Sequence, residues 1–234
     1  MKTIGLVGGT TWHSTLDYYR YFNEMIATEV GEFESAKVII NSVNYGEIRK
    51  LQQADDWKAI SSIICNAAID LEKGGANCVL LGANTMHRVA PDVEASIKIP
   101  LLHIATETAR EIKKLNIDTV ALLGTKYTMQ LNFFKDILTQ NGIQTLVPNE
   151  EDIEKINAGI YEELSKGVIL DNTKKTFIEI IDKLAGLGAD GVILGCTEIP
   201  MLIKTQDCPL PLFDTTKIHA RAAVDFALGR EGER

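Results

Sequence analysis

The sequence predicts an α/β protein made of two similar halves, each with a parallel β-sheet covered by helices. Short runs of aliphatic and β-branched residues alternate with helix-length amphipathic segments, which is typical of parallel sheets with helices on both faces. The composition agrees, because 234 residues that are 45% hydrophobic and 24% charged match ordinary globular proteins. A third observation, an internal repeat, divides the chain in two.

The predicted strands and helices follow one another in a regular order. Strands are expected where apolar and β-branched residues run together, at 3–7, 37–40, 78–81, 101–104, 119–123, 144–147, 191–194 and 210–213. Helices are expected where apolar residues recur every three to four positions, at 14–29, 56–73, 105–115, 127–141, 150–166, 172–187 and 216–228. Asp55 and Asp56 mark one helix start, and glycines follow its end and the end of the last helix.

The internal repeat joins two distant parts of the chain. Residues 71–85 align without gaps on residues 184–198, an offset of 184 − 71 = 113. Two more pairs of segments recur in the same order at nearly the same offset: 4–10 with 120–125, and 100–103 with 211–214. Three matches in one order predict two homologous, four-stranded halves.

The repeat also sets the expected domain boundaries. We expect the first α/β domain to comprise residues 1–105 and 216–234, and the second to comprise residues 106–215. The final amphipathic segment, 216–228, shows no counterpart before residue 106. It is therefore expected to cross back and cover the first half.

Charge and hydropathy exclude several classes of function. The formal net charge is −8 and no block of Lys and Arg is present, so a nucleic-acid partner is not expected. A few local cations can still bind an anionic substrate. No apolar run reaches the roughly 18 residues of a membrane span, and the N-terminus has no secretory h-region. These features predict a cytoplasmic protein that does not bind membranes.

The sequence contains no metal or nucleotide motif. Its four cysteines form no CxxC pair, and its four histidines show no HExxH spacing, so no metal site is predicted. The glycines at 5–9 lack the GxGxxG spacing, and no GK[ST] follows a glycine-rich loop. Cys65, Cys78 and Cys208 are expected to be reduced and to pack as small hydrophobic residues.

The carboxyl ends of the predicted strands form the candidate site, because ligands of open α/β sheets bind beyond those ends. The segments there are rich in Gly, Thr and Asn, whose amides and hydroxyls suit a small anion. Cys196 and Ala83 hold matched positions in the repeat. If the halves face each other across a cleft, these two residues approach one substrate from opposite sides. Cys196 follows a glycine at a strand end, where backbone N–H groups are expected to stabilise a thiolate.

Several of these segments resemble the aspartate/glutamate racemases that work without pyridoxal phosphate. The matching motifs are GLVGGTTWHST at 5–15, NTMH at 84–87, LGTKYTM at 123–129, GCTEIP at 195–200 and PLFDTT at 211–216. The resemblance covers nearly the whole chain. It implies two pseudo-symmetric α/β halves with the active site in the cleft between them, no cofactor, an amino-acid substrate and a homodimer.

The resemblance also implies roles for individual residues. Cys196 is expected to be an acid/base on one face of Cα, and Thr85 a further catalytic candidate. Arg49 and Lys166 are the candidate cations for the acidic side chain of a substrate. His87 is expected to play a structural part near the site. The residues expected to bind substrate are Thr10, Arg49, Ala83, Asn84, Thr85, Thr125, Thr128, Lys166, Thr197 and Glu198.

The sequence departs from the family at Ala83, where members typically carry a first cysteine. Racemisation removes the α-proton from one face and returns a proton to the other, so each face needs a proton carrier. A methyl group carries no proton, and Cys78 lies inside the strand. Three explanations stay open: Thr85, Thr10 or an ordered water serves this face, the chemistry is confined to one face, or Ala83 is an introduced substitution.

Two hypotheses of different class follow. The first is a cofactor-independent racemase of aspartate, glutamate or a related amino acid. The second is a relative that does not racemise: a lyase or isomerase with Cys196 as its single acid/base, or a binding protein without turnover. Exchange of the α-proton with solvent, accompanied by inversion, distinguishes the first from a binding protein.

Overall fold

The computed structural model describes residues 1–230, and residues 231–234, assigned above to the first domain, lie outside the described residues. The chain forms two compact units. One unit contains Met1–Ile104 and the chain from Thr216 onward, and the other contains Ala105–Thr215. Both units have parallel sheets surrounded by helices, so the predicted fold class is confirmed.

The first unit begins with a strand, a long helix and a second strand. Its strands are β1 (Ile4–Gly8), β2 (Val38–Ser42) and β3 (Cys78–Leu81), and its helices are α1 (Trp12–Glu29), α2 (Tyr45–Gln53), α3 (Trp57–Lys73), a 3₁₀ turn (Asn84–Val89) and α4 (Ala90–Ser96). The side chain of Thr11 accepts the Ser14 N–H to cap α1, and that of Asp56 accepts the Ala59 N–H to cap α3. Such caps satisfy N–H groups that have no partner within the helix.

The first sheet has the strand order β2-β1-β3, with all pairs parallel. Its side chains alternate between two apolar layers, as the pleat requires. Val7, Val79 and Leu81 pack with α3 and α4, whereas Leu6 and Leu80 pack with α1 and the last helix, α11 (Thr215–Leu228). The core of this unit thus lies on both faces of its sheet.

The second unit repeats this plan with four strands. Its strands are β4 (Thr119–Gly124), β5 (Gln144–Leu146), β6 (Val192–Gly195) and β7 (Leu212–Asp214), in the parallel order β5-β4-β6-β7. Its helices are α5 (Ile104–Lys114), α6 (Lys126–Gln130), α7 (Asn132–Gln140), α8 (Glu150–Ala158), α9 (Asp171–Gly186) and α10 (Ile199–Leu202). One face of this sheet packs against α8, α9 and α10, and their buried apolar side chains form one hydrophobic cluster.

The two units show the repeat in their strand pairing. Val79 pairs with Leu101 in the first unit, and Val192 pairs with Leu212 in the second. The first pairing is a single bridge rather than a strand, so the predicted strand at 101–104 is wrong. The reason is that α5 starts at Ile104 and leaves too few residues for a ladder.

The last helix matches α5, which follows Leu101 by the same interval as α11 follows Leu212 (104 − 101 = 215 − 212) but lies almost wholly after residue 105. Two predicted helices also need correction. The predicted helix 127–141 is interrupted at Leu131 between α6 and α7. The predicted helix 150–166 contains α8, a π-helical turn (Gly159–Glu163) and a 3₁₀ turn (Leu164–Lys166). Helix α2, capped by Asn44, is not predicted.

Candidate active site

The loop after β1 is fixed by glycine and by the start of α1. Gly9 has a φ of 84°, and a β-carbon there would lie 2.1 Å from the carbonyl oxygen of Val43, so only glycine fits. The Gly9 N–H donates to Thr15 Oγ1 at 2.9 Å, and Ser14 Oγ donates to the Gly82 carbonyl at 3.2 Å. These bonds hold the carboxyl ends of β1 and β3 at one edge of the sheet.

Thr10 lies in this loop with its hydroxyl inside the protein. The residue is 6% exposed, and its Oγ1 has no hydrogen-bond partner among residues 1–230. Most buried hydroxyls in proteins have a partner. A carboxylate oxygen of a ligand could accept a hydrogen bond from this hydroxyl, and Thr10 stays a predicted substrate contact.

The end of β3 presents a methyl group where the repeat has a thiol. Ala83 is extended and half-buried, and its side chain packs against the apolar cluster beneath the sheet. Asn84 and Thr85 open the 3₁₀ turn and are 4% and 7% exposed. The sheet therefore brings Thr10, Ala83, Asn84 and Thr85 to the same edge, because β1 and β3 are neighbours.

Three histidines that are far apart in the sequence pack together in the first unit: His87 and His219 are buried and His103 is half-buried. The ring centroids of His87 and His103 are 4.6 Å apart, and those of His87 and His219 are 5.5 Å apart. Tyr18 Oη lies 2.8 Å from His219 Nδ1, and His219 Nε2 lies 2.7 Å from the Leu102 carbonyl. Because a carbonyl only accepts, His219 carries its proton on Nε2 and accepts the Tyr18 hydroxyl proton on Nδ1.

These imidazoles are neutral. Burial lowers the pKa of His87 well below its usual range, and the neighbouring imidazoles lower it further. Burial also lowers the pKa of His103 to about 4 and that of His219 to about 3. Sequence reasoning gave His87 a structural part but missed His103, His219 and Tyr18, because no sequence spacing relates them.

The end of β6 carries the thiol. Cys196 is 7% exposed, and its Sγ donates to Glu198 Oε2 at 2.9 Å. The Thr197 hydroxyl donates to the same oxygen at 2.7 Å. Glu198 Oε2 thus accepts hydrogen bonds from both Cys196 and Thr197, and Glu198 stays a predicted substrate contact.

The thiol of Cys196 is protonated, although a thiolate is expected from its position after a glycine at a strand end. Burial raises the pKa of this thiol well above its usual range, and the charge of Glu198 and its hydrogen bond raise it further. The backbone N–H groups of Thr197 and Glu198 lower the pKa of the thiol, but by less than burial and Glu198 raise it. Cys196 is therefore a protonated thiol beside a carboxylate that can accept its proton.

A threonine at the end of β4 caps a helix. Thr125 is the N-cap of α6 and accepts the Thr128 N–H, and the two hydroxyls lie 3.2 Å apart. Thr128 is completely buried, and its side chain lies within 3.4 Å of where β-carbons on Gly124 or Gly195 would lie. Thr125 is 7% exposed. Both threonines stay predicted substrate contacts.

The two candidate cations lie at the surface. Arg49 is exposed in α2, and Lys166 is exposed at the end of the 3₁₀ turn after the π-helical segment. Each stays a predicted substrate contact. Within residues 1–230, no group of three or more His, Cys, Asp and Glu is placed to hold a metal ion. In the same range, no helix is both long and apolar enough to cross a membrane.

Comparison with known proteins identifies the class. Residues 7–223 match the model of the Asp/Glu/hydantoin racemase family. The chain is 24% identical over 173 residues to the broad specificity amino-acid racemase RacX of Bacillus subtilis, covering 74% of each protein. The chain therefore belongs to the Asp/Glu/hydantoin racemase family, and its class of enzyme is that of the racemases, which are isomerases.

Solved structures agree with this assignment. The chain is 45% identical to a candidate Asp/Glu racemase from Yersinia pestis, with a TM-score of 0.92, covering 97% of this chain and 100% of the other. It is 38% identical to an aspartate racemase homologue from Pyrococcus horikoshii, with a TM-score of 0.87 and the same coverage. The predicted family is confirmed.

Proposed function

We propose that the protein is an amino-acid racemase that acts on aspartate, glutamate or a related amino acid without a cofactor, by proton transfer between Cys196 and Cα. The observation that carries this proposal is the protonated thiol of Cys196 next to Glu198 at the end of β6. Racemase relatives in the comparisons support the reaction class.

The hydrogen bond between Cys196 and Glu198 supports proton transfer in both directions. In one direction, the thiol gives its proton to the Cα carbanion and becomes a thiolate. In the other direction, Glu198 first takes the thiol proton, and the resulting thiolate removes the α-proton of the substrate. Acid–base groups of this kind typically contribute about 10²- to 10⁴-fold to the rate.

The strand ends supply the donors that such a reaction needs. Removing the α-proton moves negative charge onto the carboxylate, and preorganised hydroxyl and amide donors stabilise that charge. We assign this role to Thr10, Asn84 and Thr85, and to Thr197 once its hydroxyl turns from Glu198 to the substrate. Arg49 and Lys166 are our candidates for binding the side-chain carboxylate of the substrate.

Ala83 supports a second candidate function. Ala83 and Cys196 hold matched positions at the ends of β3 and β6, but only Cys196 can carry a proton. A lyase or isomerase with a single thiol needs no proton carrier at residue 83. In a racemase, Thr85, Thr10 or a water molecule must serve the face that Ala83 leaves without one.

Matched cysteine variants test the proposal. Cys196→Ser is expected to lower racemisation of aspartate and glutamate by about 10²-fold or more. Cys208→Ser is the control, because Cys208 is equally buried at 7% exposed and its pKa is also raised by burial. Near-normal turnover in Cys196→Ser would exclude the thiol mechanism, and an equal loss in Cys208→Ser would indicate a packing effect.

We also propose that the enzyme is a cytoplasmic homodimer without nucleic-acid or membrane partners. The family resemblance supports the dimer, and the net charge of −8 argues against a nucleic-acid surface. Sedimentation equilibrium tests the oligomeric state, and a monomer at micromolar concentration would contradict this part of the proposal.

A further inference from the structure

The carbonyl group of Ala83 is held from two sides. It accepts the backbone N–H of Met86 at 3.2 Å, within the 3₁₀ turn. It also lies 3.1 Å from His87 Nδ1. The first bond belongs to the turn itself, whereas the second comes from a side chain that is 1% exposed.

The tautomer of His87 follows from its second contact. The backbone N–H of Ile104 donates to His87 Nε2 at 3.2 Å, so this nitrogen is an acceptor without a proton. In a neutral imidazole the other nitrogen then carries the proton. His87 Nδ1–H therefore donates to the Ala83 carbonyl, and the Asn84 backbone makes a further hydrogen bond with this imidazole.

The same imidazole is locked by the segment that leads into α5. Leu102, two residues before Ile104, donates its N–H to the Val79 carbonyl on β3 and accepts His219 Nε2–H on its own carbonyl. His219 is in turn fixed by the Tyr18 hydroxyl. The 101–104 segment thus cannot shift without breaking bonds to β3 and α11, and His87 is held with it.

We propose that His87 is a positioning residue that orients the Ala83–Asn84 peptide for the reaction. In a trans peptide the C=O and N–H groups point in opposite directions, and all described peptide bonds are trans. Holding the Ala83 carbonyl against His87 therefore directs the Asn84 N–H away from the imidazole. That N–H becomes a fixed donor for the carboxylate on which negative charge develops. This inference rests on the proposed function.

Two substitutions separate the two bonds of His87. In His87→Asn, the side-chain NH₂ can occupy the place of Nδ1 and keep the bond to Ala83, while the bond from Ile104 is lost. In His87→Gln, the side-chain oxygen can occupy the place of Nε2 and keep the bond from Ile104, while the bond to Ala83 is lost. Each variant keeps one hydrogen bond, so the two form a matched pair for folding.

The readout is the split between kcat and KM for aspartate and glutamate, with thermal melting of each variant. We expect His87→Asn to keep kcat within about threefold of wild type, and His87→Gln to lose about tenfold or more in kcat with little change in KM. Equal kcat losses in both variants, or a larger loss in His87→Asn, would overturn the inference.

A second measurement needs no variant. Nitrogen-15 correlation spectra of the wild-type imidazoles show which ring nitrogen of His87 carries the proton. The inference requires Nδ1–H, and an Nε2–H tautomer would overturn it.

Wild-type protein without racemisation would contradict the proposed function itself, whereas an active wild type with indistinguishable variants would contradict only the role of His87.

Discussion

Mild acid is expected to destabilise the protein through its buried imidazoles. His87 and His219 have pKa values lowered mainly by burial, that of His219 to about 3. Both rings stay neutral in the folded protein between pH 7 and 5.5, whereas in the unfolded chain they titrate near about 6.5. The unfolded state therefore gains protons that the folded state does not, and the free energy of unfolding falls as the pH falls.

The size of this effect follows from proton linkage. Protonation of one unfolded imidazole between pH 7 and 5.5 lowers the free energy of unfolding by about 1.2 kcal/mol. His87 and His219 together give about 2.5 kcal/mol, and His103, whose pKa is lowered to about 4, adds up to about 1 kcal/mol. This is a large share of the roughly 5–15 kcal/mol typical of a folded protein.

Urea unfolding at both pH values measures this loss. His219→Gln is expected to reduce the pH-dependent loss by about 1.2 kcal/mol, whatever its own stability. The control is Ile64→Val, which removes a methyl group from the fully buried Ile64 and should keep the full pH dependence. Wild-type protein that is equally stable at both pH values would refute the conclusion that these imidazoles are buried and neutral.

Three substitutions test other parts of the structure. Ala83→Cys should raise kcat for racemisation more than it changes KM, because a second thiol acts only in the transition state; no gain in a variant that binds substrate would argue against two-base racemisation. Glu198→Gln should speed alkylation of Cys196 at neutral pH, because it removes the charge that raises the pKa of the thiol, yet lower turnover; unchanged alkylation would contradict the pairing. Gly9→Ala should lower the free energy of unfolding, measured with urea, by at least about 2 kcal/mol. The control Gly75→Ala should lower it by about 1 kcal/mol, because φ is also positive there but no atom lies within 4 Å of the added β-carbon. Equal losses would refute the close approach at Gly9.

The repeat made much of the fold predictable. Strand segments and the alternation with helices follow from local patterns, and the offset of 113 residues relates Ala83 after β3 to Cys196 after β6 (196 − 83). Helix α2 was missed because it is short and polar, so its apolar periodicity is weak. The strand at 101–104 failed because the start of α5 decides its length, and start signals locate helix ends only within a few residues.

The chemistry of the site was less predictable. Position in the repeat singled out Cys196, but its protonation depends on burial and on Glu198, which only the folded chain reveals. A threonine at a strand end looks the same in sequence whether it binds a ligand or caps a helix, as Thr125 does. The histidine cluster brings together the 3₁₀ turn after β3, the residue before α5 and helix α11 through tertiary contacts, so no local sequence pattern predicts it.

Incubation of L- and D-aspartate and L- and D-glutamate with the protein in D₂O, followed by chiral analysis, tests the central claim most directly. We expect deuterium to enter at Cα and the opposite enantiomer to accumulate. Both signals should be lost in Cys196→Ser and retained in Cys208→Ser. Binding of these amino acids without deuterium uptake or inversion would contradict that claim.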